Sequence, residues 1–405
     1  MLTPNKHSKN MKKHLLIFAC VAFLISCKKE DDSSSRKAST PDQTEINKLK
    51  LNQIQVLGSH NSYHKRMPDR LYSFLSSINF LLPSDYKVEG LDYYHEALAD
   101  QLDQYKMRSF EIDIYADPQG GRFYNRQGNV FASLPVASGI DELRKPGYKV
   151  MHIPDIDYDT HYYTFKSMLQ ALKDWSDRHP NHIPIFLLIE GKEETVGDIL
   201  GFLGFQTAIK FTPALCDDID AEIKSIFGND LAKVITPDEI RSSFSTLNEA
   251  VLANNWPTIG ESRGKFVFVM QGASVDDYLV RHPSLKGRAM FTNSTFGKPE
   301  AAFLQYNDPV KYEDSIKIMI NKNYIIRSRT DGPNDQNRSG NYSQQQAAFR
   351  CGAQILSTDY YRPDPRYKTQ PNQFKDYSCQ FPNGDLARIN PISAADKQNI
   401  GKIGE

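Results

Sequence analysis

Apolar positions along the chain cluster into eight short runs separated by amphipathic stretches. The runs are "QIQVLGS" at 53–59, "RSFEIDIYA" at 108–116, "YKVMHI" at 148–153, "PIFLLIEG" at 184–191, "KFVFVMQ" at 265–271, "AMFT" at 289–292, "NYIIRSR" at 323–329 and "AQILST" at 353–358. Several are apolar at consecutive positions, the pattern of strands covered on both faces. Helical spacing predicts helices over 95–106, 160–179, 308–322 and 339–349. Asp308 is the expected cap of the third, with Pro309 at its first helical position. Segment 192–264 reads as a long, mostly helical excursion. Alternating strand and helix predict an α/β fold with a parallel sheet. Eight strands suffice to close an irregular, distorted TIM-type (β/α)8 barrel. The segment after Arg362, rich in Pro and Asn, is expected to wrap the barrel as a strap to about residue 393, with 394–405 as a tail.

Barrels of this type carry their chemistry at the C-terminal ends of the strands. Those positions here hold His60 and Asn61, Glu111 and Asp113, His152 followed by Asp155 and Asp157, Glu190 and Lys192, Arg327, Arg329 and Asp331, and Asp359 with Tyr360. Glu111 and Asp113 are two apart and share one face of their strand, with Phe110, Ile112 and Ile114 on the other. Burying a carboxylate behind "IFLLI" is unfavourable unless it is paired or bound to a cation. Glu111, Asp113, Glu190 and the Asn61 amide offer an all-oxygen set, suited first to calcium and also open to magnesium. His60 and His152 are then free for acid–base work across a phosphodiester. Lys192, Arg327 and Arg329 are the candidate phosphate-binding cations. Each residue also has an ordinary reading: a hydrogen-bonded histidine, a surface carboxylate pair, arginines paired to the acidic "TDGPND". Their joint order along the chain favours a catalytic mouth. His64, four residues past His60 in "YHKRMPDR", reads as a solvated or substrate-side loop residue.

Composition narrows the setting. Lys plus Arg and Asp plus Glu are equal at 49 each, which gives no electrostatic case for a nucleic-acid partner. Lys12, Lys13 and the apolar run 15–25 read as an export signal too short to span a bilayer. It ends in "LISC", which looks like a bacterial lipobox with Cys27 as the acylated residue. The chain thus divides into a signal at 1–27, a polar tether at 28–50, a catalytic barrel with strap at 51–393 and the tail. The expected location is an exported, membrane-anchored bacterial lipoprotein at the outer membrane or cell surface. Cys216, Cys351 and Cys379 remain in the exported part, and their pairing is open.

"GSHNSYH", "RSFEIDIYAD", "VMHIPDIDYD" and "WSDRHPNHIPIFLLIEGK" in this order resemble the phosphatidylinositol-specific phospholipase C superfamily, most closely its bacterial, calcium-dependent family. The likeness continues through "NWPTIGESRGKFVFVMQG", "IIRSRTD" and "GAQILSTDYY" and covers roughly 50 to 393. It implies a distorted eight-stranded barrel, His60 and His152 as catalytic histidines, and Asn61, Glu111, Asp113 and Glu190 as ligands of Ca2+. The implied reaction cleaves a phosphoinositide lipid to diacylglycerol and an inositol cyclic phosphate, with His60 stabilising phosphoryl charge and His152 moving the proton. A glycerophosphodiester phosphodiesterase is the alternative enzyme, although such enzymes usually carry His-Arg where this chain has His60-Asn61. A non-catalytic surface lipoprotein binding lipid or glycan headgroups is the alternative outside catalysis. The apolar, aromatic insert over 67–95 reads as barrel packing or as a lid or membrane-touching rim.

Overall fold

The computed structural model describes residues 43–82, 86–332 and 335–405. The signal, Cys27 and the tether up to residue 42 lie outside the described residues. Eight parallel strands form the central sheet: β1 (Ile54–Ser59), β2 (Ser109–Tyr115), β4 (Ile185–Gly191), β5 (Phe266–Gln271), β6 (Phe291–Thr292), β7 (Phe303–Gln305), β8 (Ile325–Arg329) and β9 (Ile355–Thr358). Their order is β6-β5-β4-β2-β1-β9-β8-β7. A single parallel bridge, Asn293 to Phe303, brings the two edges together, so the TIM-type barrel is nearly closed. Two short antiparallel strands flank it: β3 (Lys149–Val150) beside β2, and β10 (Ala387–Ile389) beside β1.

Seven of the eight expected strands are staves. The third, 148–153, is not: Val150 pairs antiparallel with Ile114 and Lys149 with Tyr115. The stave that replaces it is β7, read from "AAFLQYN", whose three residues are too short to stand out as an apolar run. β1 touches β2 only at Gly58 and Ser59, opposite Ser109 and Phe110, and β3 takes over the pairing at the top of β2. Gly58 permits that approach, since a Cβ there would lie 2.5 Å from Ser109 Cβ.

Helices cover the outside. They include α1 (Gln43–Asn47), α2 (Asp69–Ser77), α3 (Leu98–Asp103), α4 (Phe165–Arg178), α5 (Gly197–Leu200) and α6 (Pro213–Phe227). Thr164 caps α4 in a reciprocal box with Ser167, and Thr212 with Pro213 opens α6. The helix expected from Asp308 begins instead at Glu313, after a turn in which Asp308 Oδ1 accepts the amides of Val310 and Lys311. Residues 43–50 are not tether: Ile46 and Leu49 are buried in the main core. Nor is 394–405 a loose tail, because Ala394 and Ile403 are buried and Glu405 pairs with Arg108. The core fills the barrel and the layer beneath the helices. A second apolar cluster sits beside the mouth, built from 67–91, 115–158 and 196–205. The three cysteines are free and buried.

Candidate active site

The chain leaves β1 at Ser59 and turns sharply. His60 N–H donates to the Thr358 carbonyl at 2.9 Å, and Asn61 adopts a left-handed φ of 47°. Ser62 then locks the turn to β2, its amide donating to the Glu111 carbonyl and its hydroxyl accepting the Glu111 amide, both at 2.9 Å. This fixes His60 and Asn61 against the strand that bears Glu111 and Asp113. Parity holds as expected: Phe110, Ile112 and Ile114 join the apolar core while the two carboxylates take the other face.

His60 Nδ1–H donates to Asp359 Oδ1 at 2.8 Å, leaving Nε2 for the mouth, 4.0 Å from Glu111 Oε1. Arg329 ion-pairs with the other oxygen of Asp359. Burial alone would raise the Asp359 pKa, but Arg329 and His60 hold it well below the usual carboxylate range. Beneath, His95 Nε2–H donates to the His60 carbonyl at 2.7 Å. Burial pushes His95 down to about 3, so it acts as a neutral donor.

His152 follows the antiparallel β3 rather than a stave. A tight loop, closed by two hydrogen bonds between Ile153 and Asp157, folds Asp157 back beneath it. His152 Nδ1–H donates to Asp157 Oδ2 at 2.7 Å, again leaving Nε2 free for substrate. Burial lowers the His152 pKa, which makes the neutral ring the resting form near pH 7. Asp157 is fully buried, yet His64 and His152 hold it down at about 2. His64 Nε2–H donates to the same carboxylate at 2.8 Å. His64 is therefore not a solvated loop residue: it is completely buried, stacked on Tyr93 at 4.5 Å, and shares Asp157 with His152. Tyr93 in turn accepts a hydrogen bond from Asn61 Nδ2 at 2.8 Å. Tyr93 and His64 thus join the two histidine motifs. His64, His152 and Asp157 offer three ligand atoms within 4.8 Å, but the 2.7–2.9 Å contacts between them require protons on the imidazoles. We read them as a hydrogen-bonded triad. Asp155 has a separate job, accepting the amides of Gln127 and Gln206 and tying two loops together.

The carboxylates lie side by side, with Asp113 opposite Glu190 and Glu190 opposite Gln271 across β2, β4 and β5. Gln271 Nε2 donates to Glu111 at 2.7 Å and to Glu190 at 3.2 Å. Lys192 Nζ is 3.2 Å from Glu190 and 3.7 Å from Asp113. Asp113 Oδ1 is buried with no hydrogen-bond partner, and burial raises the Asp113 pKa well above normal. Asn61 Oδ1 accepts no hydrogen bond among the described residues. An unpartnered buried carboxylate oxygen, an open amide oxygen and two further carboxylates fit a hard cation such as calcium. Lys192 supplies positive charge to the same group, and the Gln271 amide supplies hydrogen bonds.

The two arginines read as phosphate ligands are both committed to carboxylates. Arg327, buried, pairs with Glu111 and donates to Asn307 and Ser357. Arg329 pairs with Asp359 and Asp331. They hold the acids in place, and Lys192, whose side chain is 28% exposed, is the more accessible cation. Asp359, Asp157, Gln271, Tyr93 and His95 were not assigned from sequence. Asp359 and Asp157 did stand at or near strand ends; Gln271 closes β5, where an amide between carboxylates gave no distinguishing pattern.

The family model described as "Phosphoinositide phospholipase C, Ca2+-dependent" matches residues 49–391. No curated protein sequence matches the chain. Among solved structures, a calcium-dependent phosphoinositol-specific phospholipase C from the Gram-negative bacterium Pseudomonas sp, in a myoinositol complex, shares 15% identity, with a TM-score of 0.50 over 85% of this chain and 97% of that one. A Ca2+-dependent phosphatidylinositol-specific phospholipase C from Streptomyces antibioticus shares 17% identity, with a TM-score of 0.46 over 77% and 95%.

Proposed function

This chain belongs to the calcium-dependent phosphoinositide phospholipase C family, an enzyme family of phosphoric diester hydrolases, and we propose that it cleaves phosphatidylinositol-type lipids to diacylglycerol and an inositol cyclic phosphate by two-histidine catalysis. The observation that carries this reading is the pair of histidines with their Nδ1 atoms tied to buried carboxylates, His60 on Asp359 and His152 on Asp157, beside an oxygen-lined mouth. Asn61, Glu111, Asp113 and Glu190 would hold the calcium. When bound, it supplies positive charge against the phosphoryl oxygens and lowers the pKa of the attacking hydroxyl.

The chain's own residues do the rest. Lys192 adds a cation at the mouth. Neutral His152 takes the proton of the inositol 2-hydroxyl at Nε2 as that oxygen attacks phosphorus. His60 enters the step as the imidazolium, with Nδ1–H on Asp359 and Nε2–H toward the phosphoryl group; it gives the Nε2 proton to the departing glycerol oxygen and is left neutral with Nδ1–H. Asp157 and Asp359 keep both rings in the Nδ1–H form and stabilise each imidazolium. Chelation should abolish release of inositol cyclic phosphate from phosphatidylinositol vesicles, followed by phosphorus NMR, and added calcium should restore it. Full turnover in excess chelator would refute the calcium assignment. Export as a Cys27-acylated lipoprotein would hold the barrel at a membrane. Fatty-acid labelling that persists in Cys27→Ser would refute that anchor.

A further inference from the structure

A chamber of about 360 Å³ lies in the second apolar cluster, beside the catalytic mouth. Its wall comes from the insert (Leu71, Leu75), from the loop after β2 (Phe131) and from α5 and its flanks (Val196, Leu200, Phe205). Among the described residues, no charged side chain lines it. Leu81 and Ile199 line it from exposed positions, and next to lining residues in the chain stand Phe80, 79% exposed, and Phe202, 82% exposed. A volume in the range of ligand pockets with an almost purely apolar lining selects an apolar occupant, because water gains no partners there.

The chamber adjoins the loops that carry the site. Ile156, in its wall, lies between Asp155 and Asp157. Met151 and Ile153, on either side of His152, belong to the same cluster, as does Tyr115, whose hydroxyl donates to the His152 carbonyl at 2.9 Å. Val196 lies four residues past Lys192 on the loop leaving β4. The family's substrate class joins a charged headgroup to acyl chains, and the structure sets a charged mouth beside an apolar chamber. We propose that this chamber receives an acyl chain of the lipid whose headgroup occupies the mouth. This deepens the phospholipase reading and rests on it. The insert and α5 are then a chain-recognition element of the enzyme, and filling of the chamber supports the His152 loop from behind.

The test uses the full chain with monomeric short-chain phosphatidylinositols, below the concentrations at which they aggregate, and with headgroup-only glycerophosphoinositol. Wild-type kcat/KM should rise with each added methylene by up to about fourfold, the transfer value for a fully buried CH2. Leu200→Trp, which fills the chamber, should flatten that rise and weaken binding of the fluorescent fatty acid cis-parinarate, while turnover of the headgroup-only substrate stays within twofold. Ile199→Trp, on the rim, is the second variant should Leu200→Trp fail to fold. Wild-type kcat/KM independent of chain length, or a rise unchanged in the folded filled variant, would overturn the proposal. So would a chain-length effect seen only on vesicles and lost in Phe80→Ser with Phe202→Ser, since the rim would then enter a bilayer and the chamber would hold no chain. Absence of turnover on every inositol substrate with calcium present would instead defeat the phospholipase reading.

Discussion

At the scale of single residues, the site is organised by acids that orient histidines. Asp359→Asn leaves an acceptor for His60 Nδ1–H but removes the charge that stabilises the imidazolium. We expect kcat to fall on the order of 10²–10⁴-fold with the circular dichroism unchanged. Undiminished kcat would remove Asp359 from the mechanism. Asp113 behaves differently. Its carboxylate is buried with an unpartnered oxygen, a state that opposes folding until a cation arrives. Asp113→Asn should therefore raise the metal-free Tm by about 1–2 °C, equivalent to ~1 kcal/mol, and abolish the rise that calcium produces in the wild type. A calcium-induced rise of wild-type size in this variant would exclude Asp113 as a ligand. His60-Asn61, the Glu-x-Asp and Glu190 were legible in the sequence because strand parity and strand ends limit where such side chains point, whereas His152 arrives from the antiparallel β3 and not from the stave end expected for it. The buried position of His64 was not legible, since the carboxylate it shares arrives from 93 residues away.

At the scale of elements, seven staves could be read from apolar runs, and two features could not. β7 is three residues long and needs its neighbour β8 to be recognised, and β3 looks like a stave but runs antiparallel to β2. A run of apolar residues records burial and says nothing about direction. The α4–β4 connection carries a pH signature. His182 is fully buried, its Nδ1–H donating to the Ile183 carbonyl and its Nε2 accepting from the Ser176 hydroxyl. Burial lowers its pKa from 6.5 to about 4. Between those values the unfolded chain binds a proton here that the native chain does not, so stability must fall as pH drops from about 6.5 to 4. Urea unfolding across that window should show this slope, and His182→Gln should flatten it. An identical slope in the folded variant would place the proton uptake elsewhere.

At the scale of the molecule, the ends of the described chain close onto the barrel. Arg108 opens β2 from a buried position, and Glu405 supplies its carboxylate. Two backbone carbonyls, of Leu102 and Met107, also accept from Arg108, so its charge is only partly deprived when Glu405 is removed. Deleting Glu405 should lower the unfolding free energy by about 1–3 kcal/mol, an effect that Glu405→Gln reproduces in part. No measurable loss on chemical denaturation would show that the pair is screened out.

The sequence alone determined the α/β barrel, the order of its chemistry-bearing motifs and the family, because these follow from local periodicity and from residue types at fixed spacing. Tertiary structure decided the rest. It placed Asp359 on His60 and Asp157 on both His152 and His64, and it committed Arg327 and Arg329 to carboxylates. It also assembled three apolar segments into a chamber beside the mouth. Those are contacts between residues distant along the chain, and a hydrogen bond or a shared cavity depends on separation in space, which composition and spacing do not encode.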